Sequence, residues 1–100
     1  MRFVWDPIKA ERNRKKHGVS FEAATGIFND PGQVVLENDF VDGEQRYVII
    51  GMSAAFPTLL VAIFAAVDET NDETNDEIIR VISARKAVAY EKSIYEDQNG

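Results

Sequence analysis

The chain has no cysteine, one histidine, one tryptophan and two methionines. Without cysteine it can form neither a disulfide framework nor a zinc site built on thiolates, which suits a reducing compartment. Its longest apolar run, Ala54 to Val67, is interrupted by Pro57 and Thr58 and is too short to span a bilayer. Residues 1–19 lack the apolar stretch of a secretory signal. We therefore expect a cytoplasmic protein with no membrane partner.

The composition is that of one globular domain. A chain of 100 residues can bury a single modest core but not two, so we predict one domain over residues 1–100. Apolar residues make up 45% of the chain and include six phenylalanines and three tyrosines. This content excludes disorder throughout.

Positive charge is concentrated at one end of an acidic chain. The net charge is −6, yet residues 1–17 carry six cations against two acids, while the other 83 residues carry five cations against fifteen acids. A basic patch of this kind attracts phosphate or an acidic protein partner over about a Debye length, roughly 8 Å at physiological salt. The alternative is a helix face that is merely solvated.

Local signals predict two helices in the first third of the chain. Asp6 is a natural N-cap, and proline at position 7 fits the first turn of a helix that runs from Pro7 to about His17. Gly18 suits the left-handed residue after its end. Ser20 caps a second helix from Phe21 to about Asn29.

The remaining pattern predicts strands and a C-terminal helix. Alternating or continuously apolar stretches predict strands at Arg2–Trp5, Gln33–Glu37, Arg46–Ser53, Thr58–Val67 and Ile78–Ser83. We predict a turn at Asn38–Glu44 and a helix that begins at Arg85 or Lys86. The expected fold is an α+β domain, a mostly antiparallel four- to five-stranded sheet with two N-terminal helices and one C-terminal helix on one side.

An acidic repeat, DETNDETNDE, occupies residues 68–77. Its many side-chain oxygens make calcium binding an alternative to consider. The repeat lacks, however, the glycine and the correctly spaced terminal glutamate of an EF-hand loop. We predict an exposed hairpin tip and no metal site. A long tip between two strands also permits strand exchange, so a homodimer stays open.

Three segments resemble the BrnT toxins. The stretch WDPIKAERNRKKHGVSFEAATGIFNDP is similar to the family's opening signature W-D-x-x-K-x-x-x-N-x-x-K-H-G-V-x-F-x-x-A, and DGEQRYVIIGMS and IIRVISARKAVAYEKSIYE resemble its later segments. The resemblance covers about residues 3–96. It implies a RelE-like fold, a ribonuclease activity that inhibits translation, and neutralisation by a BrnA-like antitoxin. It also implies that the toxin contacts operator DNA only through this antitoxin.

Metal-independent RNA cleavage needs a base for the 2′-hydroxyl proton, cations for the charge that grows on the phosphorane, and an acid for the departing oxygen. His17 is the only side chain whose type exchanges a proton easily near neutral pH, although its place in the last helical turn has a structural alternative. Arginine holds phosphate through its planar fork, and lysine acts as a point charge. The candidate catalytic residues are Lys16, His17, Arg46, Arg85 and Lys86.

Further residues are candidates for RNA contact: Lys9, Arg12, Asn13, Lys15 and Tyr90. Tyr90 can stack a base, or it can pack in the core at helical spacing. Arg80, which alternates within a strand, is assigned to a solvent or interface face. No cofactor is expected. The rival function is a catalytically degenerate toxin, an interaction module whose basic helix is docked by an acidic antitoxin segment and which serves in autoregulation.

Overall fold

A computed structural model of the chain describes residues 1–67 and 77–100. In chain order these residues form β1 (Arg2–Val4), α1 (Pro7–His17), α2 (Phe21–Thr25) with a 3-10 helix (Gly26–Asn29), β2 (Val34–Val41), β3 (Glu44–Gly51), β4 (Leu60–Val67), β5 (Ile78–Lys86) and α3 (Ala89–Asn99). The hairpin tip predicted for the acidic repeat lies outside the described residues. None of the described helices is long and apolar enough to cross a membrane.

The five strands form one mixed sheet in the order β1-β5-β4-β3-β2. The pairs of β5 with β4, β4 with β3, and β3 with β2 are antiparallel, while β1 lies parallel to β5. The α+β class is therefore confirmed, and the description as mostly antiparallel is corrected to mixed. An alternating sequence predicts a strand but not whether its neighbour runs parallel or antiparallel. The neighbour of β1 is β5, which lies near the other end of the chain.

Helices cover both faces of the sheet, so the prediction that they lie on one side is wrong. One face, which we call the α1 face, packs Ile49, Phe64 and Val81 into a core with α2, Trp5 and Ala10 of α1. The opposite face, which we call the α3 face, carries Ile50, Leu59, Val61 and Ala87 against Ile94 and Tyr95 of α3. Two adjacent residues of β3 thus enter different cores, which is the period-two pattern of a strand buried on both sides.

Helix α1 begins and ends where its sequence predicts. The Asp6 carboxylate accepts hydrogen bonds from the backbone N–H groups of Ile8 at 2.8 Å and Lys9 at 3.4 Å, and Gly18 ends the helix at φ 71°, where its N–H donates to the Arg14 carbonyl. Asn13 is the one buried residue of this helix. Most of its basic side chains consequently face solvent.

The hairpin between β2 and β3 is tighter than predicted. β2 continues to Val41, and only Asp42 and Gly43 form the turn, at φ values of 51° and 77°. Positive φ at both positions is the requirement of a two-residue hairpin turn, which an Asp-Gly pair meets. The predicted turn at Asn38–Glu44 is therefore correct in place but too long, because residues 38–41 belong to β2. A register shift between Glu37 and Phe40 marks a bulge, and the bulge interrupts the alternation by which a strand is recognised.

Strand β5 is also longer than predicted. It continues through Lys86, and α3 begins at Ala89, so a helix start at Arg85 or Lys86 is wrong. Val81 pairs with Phe64 and Ser83 pairs with Ile63, so that Ile82 is an extra residue. Past this bulge the strand continues through Arg85 and Lys86, two charged residues that lie beyond the end predicted from the apolar alternation.

Candidate functional site

Two arginines from different strands share one carboxylate on the α3 face. Glu44 and Arg46 belong to β3, and Arg80 belongs to β5. An Arg80 guanidinium nitrogen donates to Glu44 Oε1, and Arg46 Nε lies 3.7 Å from the same oxygen. Strand β4 separates the two arginines, and its buried Ala65 is the residue that pairs with Arg80. Because that side chain is a single methyl group, both long side chains can reach Glu44.

The alternation of the strands places both guanidinium groups on this face. Ile79 and Val81, which flank Arg80, are buried in the core of the α1 face, so Arg80 must point the other way. Arg46 precedes Tyr47, whose ring stacks on Phe64 in that same core at a centroid distance of 5.4 Å. The arginine positions are therefore fixed by apolar neighbours.

A cleft of about 230 Å³ opens beside these arginines, lined by Asp6, Lys9, Arg46, Arg80, Val81 and Ile82. The first turn of α1 supplies Lys9, so three cationic side chains line the cleft with one carboxylate, Asp6. Arg46 Nε is buried and has no hydrogen-bond acceptor among residues 1–67 and 77–100. A cleft lined by two guanidinium groups and a lysine can hold an anion of phosphate geometry.

Arg85 lies on the α3 face but is directed to α3. Its Nη1 and Nη2 donate to Glu91 Oε1 and Oε2, both at 2.7 Å, and Glu91 Oε1 also accepts from the Val88 N–H at the start of the helix. Hydrogen bonding to Glu91 raises the pKa of Arg85, and the reciprocal bond lowers the pKa of Glu91. The structure thus uses Arg85 to anchor α3, at a distance of roughly 15 Å along β5 from Arg80.

Lys86 lies on the other side of the sheet from Arg85. It pairs with Leu60, a residue of the α1-face core, and its ammonium group is 5.9 Å from the centroid of the Phe56 ring. Successive residues of a strand point to opposite faces, so Arg85 and Lys86 cannot serve one compact site. The structure does not bring together the five predicted catalytic residues.

Lys16 and His17 occupy the last turn of α1. Lys16 is exposed and His17 is half-buried. Lys9 lies seven residues earlier, which is roughly 10 Å along the helix axis. The first helix therefore reaches the cleft with Lys9 at its beginning and not with the Lys16-His17 pair at its end. The predicted roles of this pair stay predictions.

Asn13 fastens α1 to the sheet. Its amide nitrogen donates to the carbonyls of Val19 at 3.0 Å and Ala84 at 2.8 Å, and its amide oxygen accepts from the Ala84 N–H at 3.2 Å. The side chain is 9% exposed. Both of its amide hydrogens are used inside the fold, and its predicted contact with RNA stays a prediction.

The other predicted RNA contacts are exposed. Arg12 and Lys15 lie on the solvent side of α1, whereas Arg14 is paired with Glu11 at 2.6 Å. Tyr90 is 75% exposed on α3, so the core-packing alternative for this residue is wrong. Tyr95 instead packs against the second core, and its hydroxyl donates to Asp30 Oδ2 at 2.8 Å.

Sequence reasoning missed Arg80, which lines the cleft, and Glu44, which accepts a hydrogen bond from it. The sequence alone assigns Arg80 to a solvent or interface face and places Glu44 at the end of a predicted turn. A cation between apolar strand residues, as in IIRVI, and an acid two positions before an arginine, as in EQR, are the available signals. Neither signal shows that the two segments meet across β4.

These features define a small α+β protein with a cationic cleft suited to phosphate. The sequence model of one family, described as the ribonuclease toxin BrnT of type II toxin-antitoxin systems, matches residues 5–91. The chain belongs to this BrnT family, which confirms the resemblance found in the sequence. No curated protein sequence is similar enough to this chain to count as a match. Glu44, Arg46 and Arg80 all lie within the matched residues.

Proposed function

We propose that the chain cleaves RNA in the cleft between Arg46 and Arg80 and thereby inhibits translation. The observation that carries this proposal is the pair of guanidinium groups that converge on Glu44. Membership of a ribonuclease toxin family supports the substrate class.

The proposed reaction is an internal transesterification that needs no metal. The Glu44 carboxylate takes the proton of a 2′-hydroxyl, the resulting oxygen attacks the adjacent phosphorus, and the bond to the 5′-oxygen breaks. The products are a 2′,3′-cyclic phosphate and a 5′-hydroxyl. Arg46 and Arg80 neutralise the charge that develops on the phosphorane, a contribution that typically amounts to about 3 kcal/mol per donor.

Proton delivery to the leaving oxygen falls to a cation at the rim of the cleft. Lys9 lines the cleft and is the acid that the geometry favours. Lys16, His17, Arg85 and Lys86 stand as proposals for contacts farther along the RNA strand. Arg85 would have to leave its two bonds to Glu91 before it could grip phosphate.

The exposed cations of α1 are proposed to guide RNA to the cleft. Lys9, Arg12 and Lys15 lie on one short helix whose buried contact is made by Asn13. A polyanion is attracted to such a strip even though the chain as a whole is acidic, because screening limits the reach of any charge to about 8 Å. Tyr90 offers an exposed ring for base stacking.

The proposal includes a protein partner. A type II toxin is held inactive by an antitoxin, and we propose one of the BrnA type, which would also be the route by which operator DNA is contacted. The proposed site of action is the cytoplasm, and the RelE-like assignment of the fold belongs to the same proposal. A homodimer remains a prediction from the sequence.

Incubation of the purified chain with RNA in the presence of EDTA tests the proposed reaction. We expect cleavage to 2′,3′-cyclic phosphate ends, and a loss of about 100-fold in rate for Arg80→Ala and for Arg46→Ala. Arg14→Ala is the matched control, because Arg14 is exposed and paired within α1. Folded protein that leaves RNA intact, or that needs a metal ion, would refute the mechanism.

A second candidate is the non-catalytic interaction module. It is favoured by one observation, namely that carboxylates of the chain already hold Arg80 and Arg85. In that case RNA would stay intact while an antitoxin still bound. The RNA cleavage assay therefore separates the two functions without reference to the fold, which both share.

A further inference from the structure

Strand β2 forms one edge of the sheet. It is the terminal strand in the order β1-β5-β4-β3-β2, and no other described strand lies beyond it. Residues Val34 to Glu37 pair with β3 in four consecutive registers, from Ile50 to Tyr47. A regularly paired strand presents regularly spaced backbone N–H and C=O groups on its outer side. This stretch can therefore accept a further strand.

The side chains of β2 do not protect this edge. Edge strands are commonly blunted by lysine or proline, and β2, with the sequence VVLENDFV, has neither. Three of its large apolar side chains are exposed: Val35 by 47%, Leu36 by 41% and Phe40 by 69%. Val35 shares a face with Ile49 and Leu36 shares the other with Val48, so apolar surface is exposed on both sides of the edge.

The negative charge of the β2–β3 hairpin indicates what kind of strand could pair with β2. Glu37, Asp39 and Asp42 are exposed acids, and the one cation of the hairpin, Arg46, faces Glu44. A second copy of the chain would bring a second acidic hairpin to this edge, and the two like charges would repel each other. A basic segment with apolar residues at alternate positions would instead be complementary in both respects.

The bulge limits the length of the added strand. Beyond Glu37 the register shifts, and the carbonyl of Asn38 already accepts a hydrogen bond from the Gln45 side chain at 2.8 Å. Continuous pairing is therefore restricted to Val34–Glu37. Phe40, past the bulge, can add an apolar contact from one side.

We propose that β2 is the docking strand for an extended basic and apolar segment of the protein partner, which adds to the sheet beside Val34–Glu37. The inference rests on the partnership with an antitoxin in the proposed function, not on the cleavage chemistry. β2 lies at the edge opposite β1, while α1 packs against β5 next to β1. The partner thus docks on the acidic side of the molecule and not on its basic helix.

Titration of the isotopically labelled full chain with a synthetic octapeptide of alternating valine and lysine tests this surface by backbone amide chemical shifts. We expect saturable binding with the largest shift changes at Val34–Glu37. A peptide of alternating valine and glutamate should not bind. The double variant Glu37→Lys, Asp39→Lys should weaken binding by about tenfold.

The control keeps the net charge equal. Glu96→Lys combined with Asp97→Lys changes two exposed acids on α3 by the same amount and should alter affinity by less than about twofold. A second pair of variants tests the apolar contact: Phe40→Ser should weaken binding, while Tyr90→Ser, at an equally exposed aromatic residue, should not. Amide spectra of each variant establish that it is folded.

Several outcomes would overturn the docking strand. They are the absence of saturable binding, shift changes centred elsewhere, equal weakening by the two charge-reversed pairs, or shifts of the β2 amides on simple dilution, which would indicate self-association. RNA cleavage by Glu37→Lys, Asp39→Lys should stay at the level of the unaltered chain. A chain that binds the peptide but leaves RNA intact would refute the proposed catalysis alone.

Discussion

Asn13 and Ala84 exchange two hydrogen bonds, one in each direction, although 71 positions separate them in the chain. The Asn13 side chain, which belongs to α1, thereby makes the two backbone hydrogen bonds that a neighbouring strand would make with β5 at Ala84. We expect Asn13→Ala to lower the free energy of unfolding by about 3 kcal/mol, because the backbone groups of Ala84 and Val19 lose buried partners. Denaturant unfolding measures this loss. Arg12→Ala, at the exposed preceding position, should change stability by less than about 0.5 kcal/mol, and a comparable loss there would contradict the assignment.

The role of Glu44 can be separated from that of its arginine partners. Glu44→Gln removes the proposed base but also removes negative charge from the phosphate site. We expect RNA cleavage to fall by about 100-fold while RNA affinity stays equal or rises. Single-turnover rates and a filter-binding isotherm measure the two quantities. Glu22→Gln, at an exposed acid on α2, is the control, and a loss of affinity in Glu44→Gln would show that Glu44 holds the site together instead.

The Arg85–Glu91 pair should matter for the attachment of α3. Glu91→Gln leaves the Arg85 fork with one neutral acceptor and should lower stability by about 1 kcal/mol, since Arg85 is partly exposed and the pair is screened. A double-mutant cycle with Arg85→Gln isolates the coupling. Additive single effects would show that the pair contributes nothing. Unchanged RNA cleavage in Arg85→Gln would remove Arg85 from the proposed contacts with RNA.

Asp30 should make the stability dependent on pH. Burial would raise the pKa of Asp30, but hydrogen bonds from the Met52 N–H, the Gly32 N–H and the Tyr95 hydroxyl outweigh it and lower the pKa. A carboxyl with a lower pKa in the folded state stabilises the fold above its unfolded pKa of about 3.9, and this contribution is lost as the pH falls through the folded value.

Unfolding measured at pH 7 and at about pH 3 tests this linkage. We expect Asp30→Asn to be less stable than the unaltered chain at pH 7 by about 2 kcal/mol and this difference to become smaller at the acid end. Tyr95→Phe removes one donor and should reduce the pH dependence only in part. A constant difference between Asp30→Asn and the unaltered chain across this range would argue against the role of the carboxylate.

The basic helix should set the salt dependence of RNA binding. Each phosphate neutralised on a single strand contributes about −0.7 to the slope of log affinity against log salt. Replacement of Arg12 and Lys15 by glutamine should therefore reduce the slope by about 1.4. Lys92→Gln, at an exposed lysine on α3, is the control and should leave the slope unchanged. A slope that is insensitive to the α1 variants would place the RNA elsewhere.

Local signals predict the first helix from Pro7 to about His17, in agreement with the structure. The Asp6 cap, Pro7 and Gly18 act within one turn of where they stand, so the sequence alone contains their information. The ends of β2 and β5 were wrong because a bulge in each strand shifts its alternation, and a bulge depends on the partner strand. The same holds for Arg80, whose contact with Glu44 joins two strands that β4 separates. The bonds from Arg85 to Glu91 could not be predicted either, because they join β5 to α3.

The separation of α1 from β2 places opposite charges at opposite edges of the described part of the sheet. A strip of lysine and arginine lies near one edge of the sheet, and exposed acids lie along the other. If RNA binds at the cleft as proposed, this distribution of charge would favour encounters in which α1 and the cleft face the polyanion. A partner with a cationic segment would experience the reverse orientation, and the two could meet the same molecule from opposite directions.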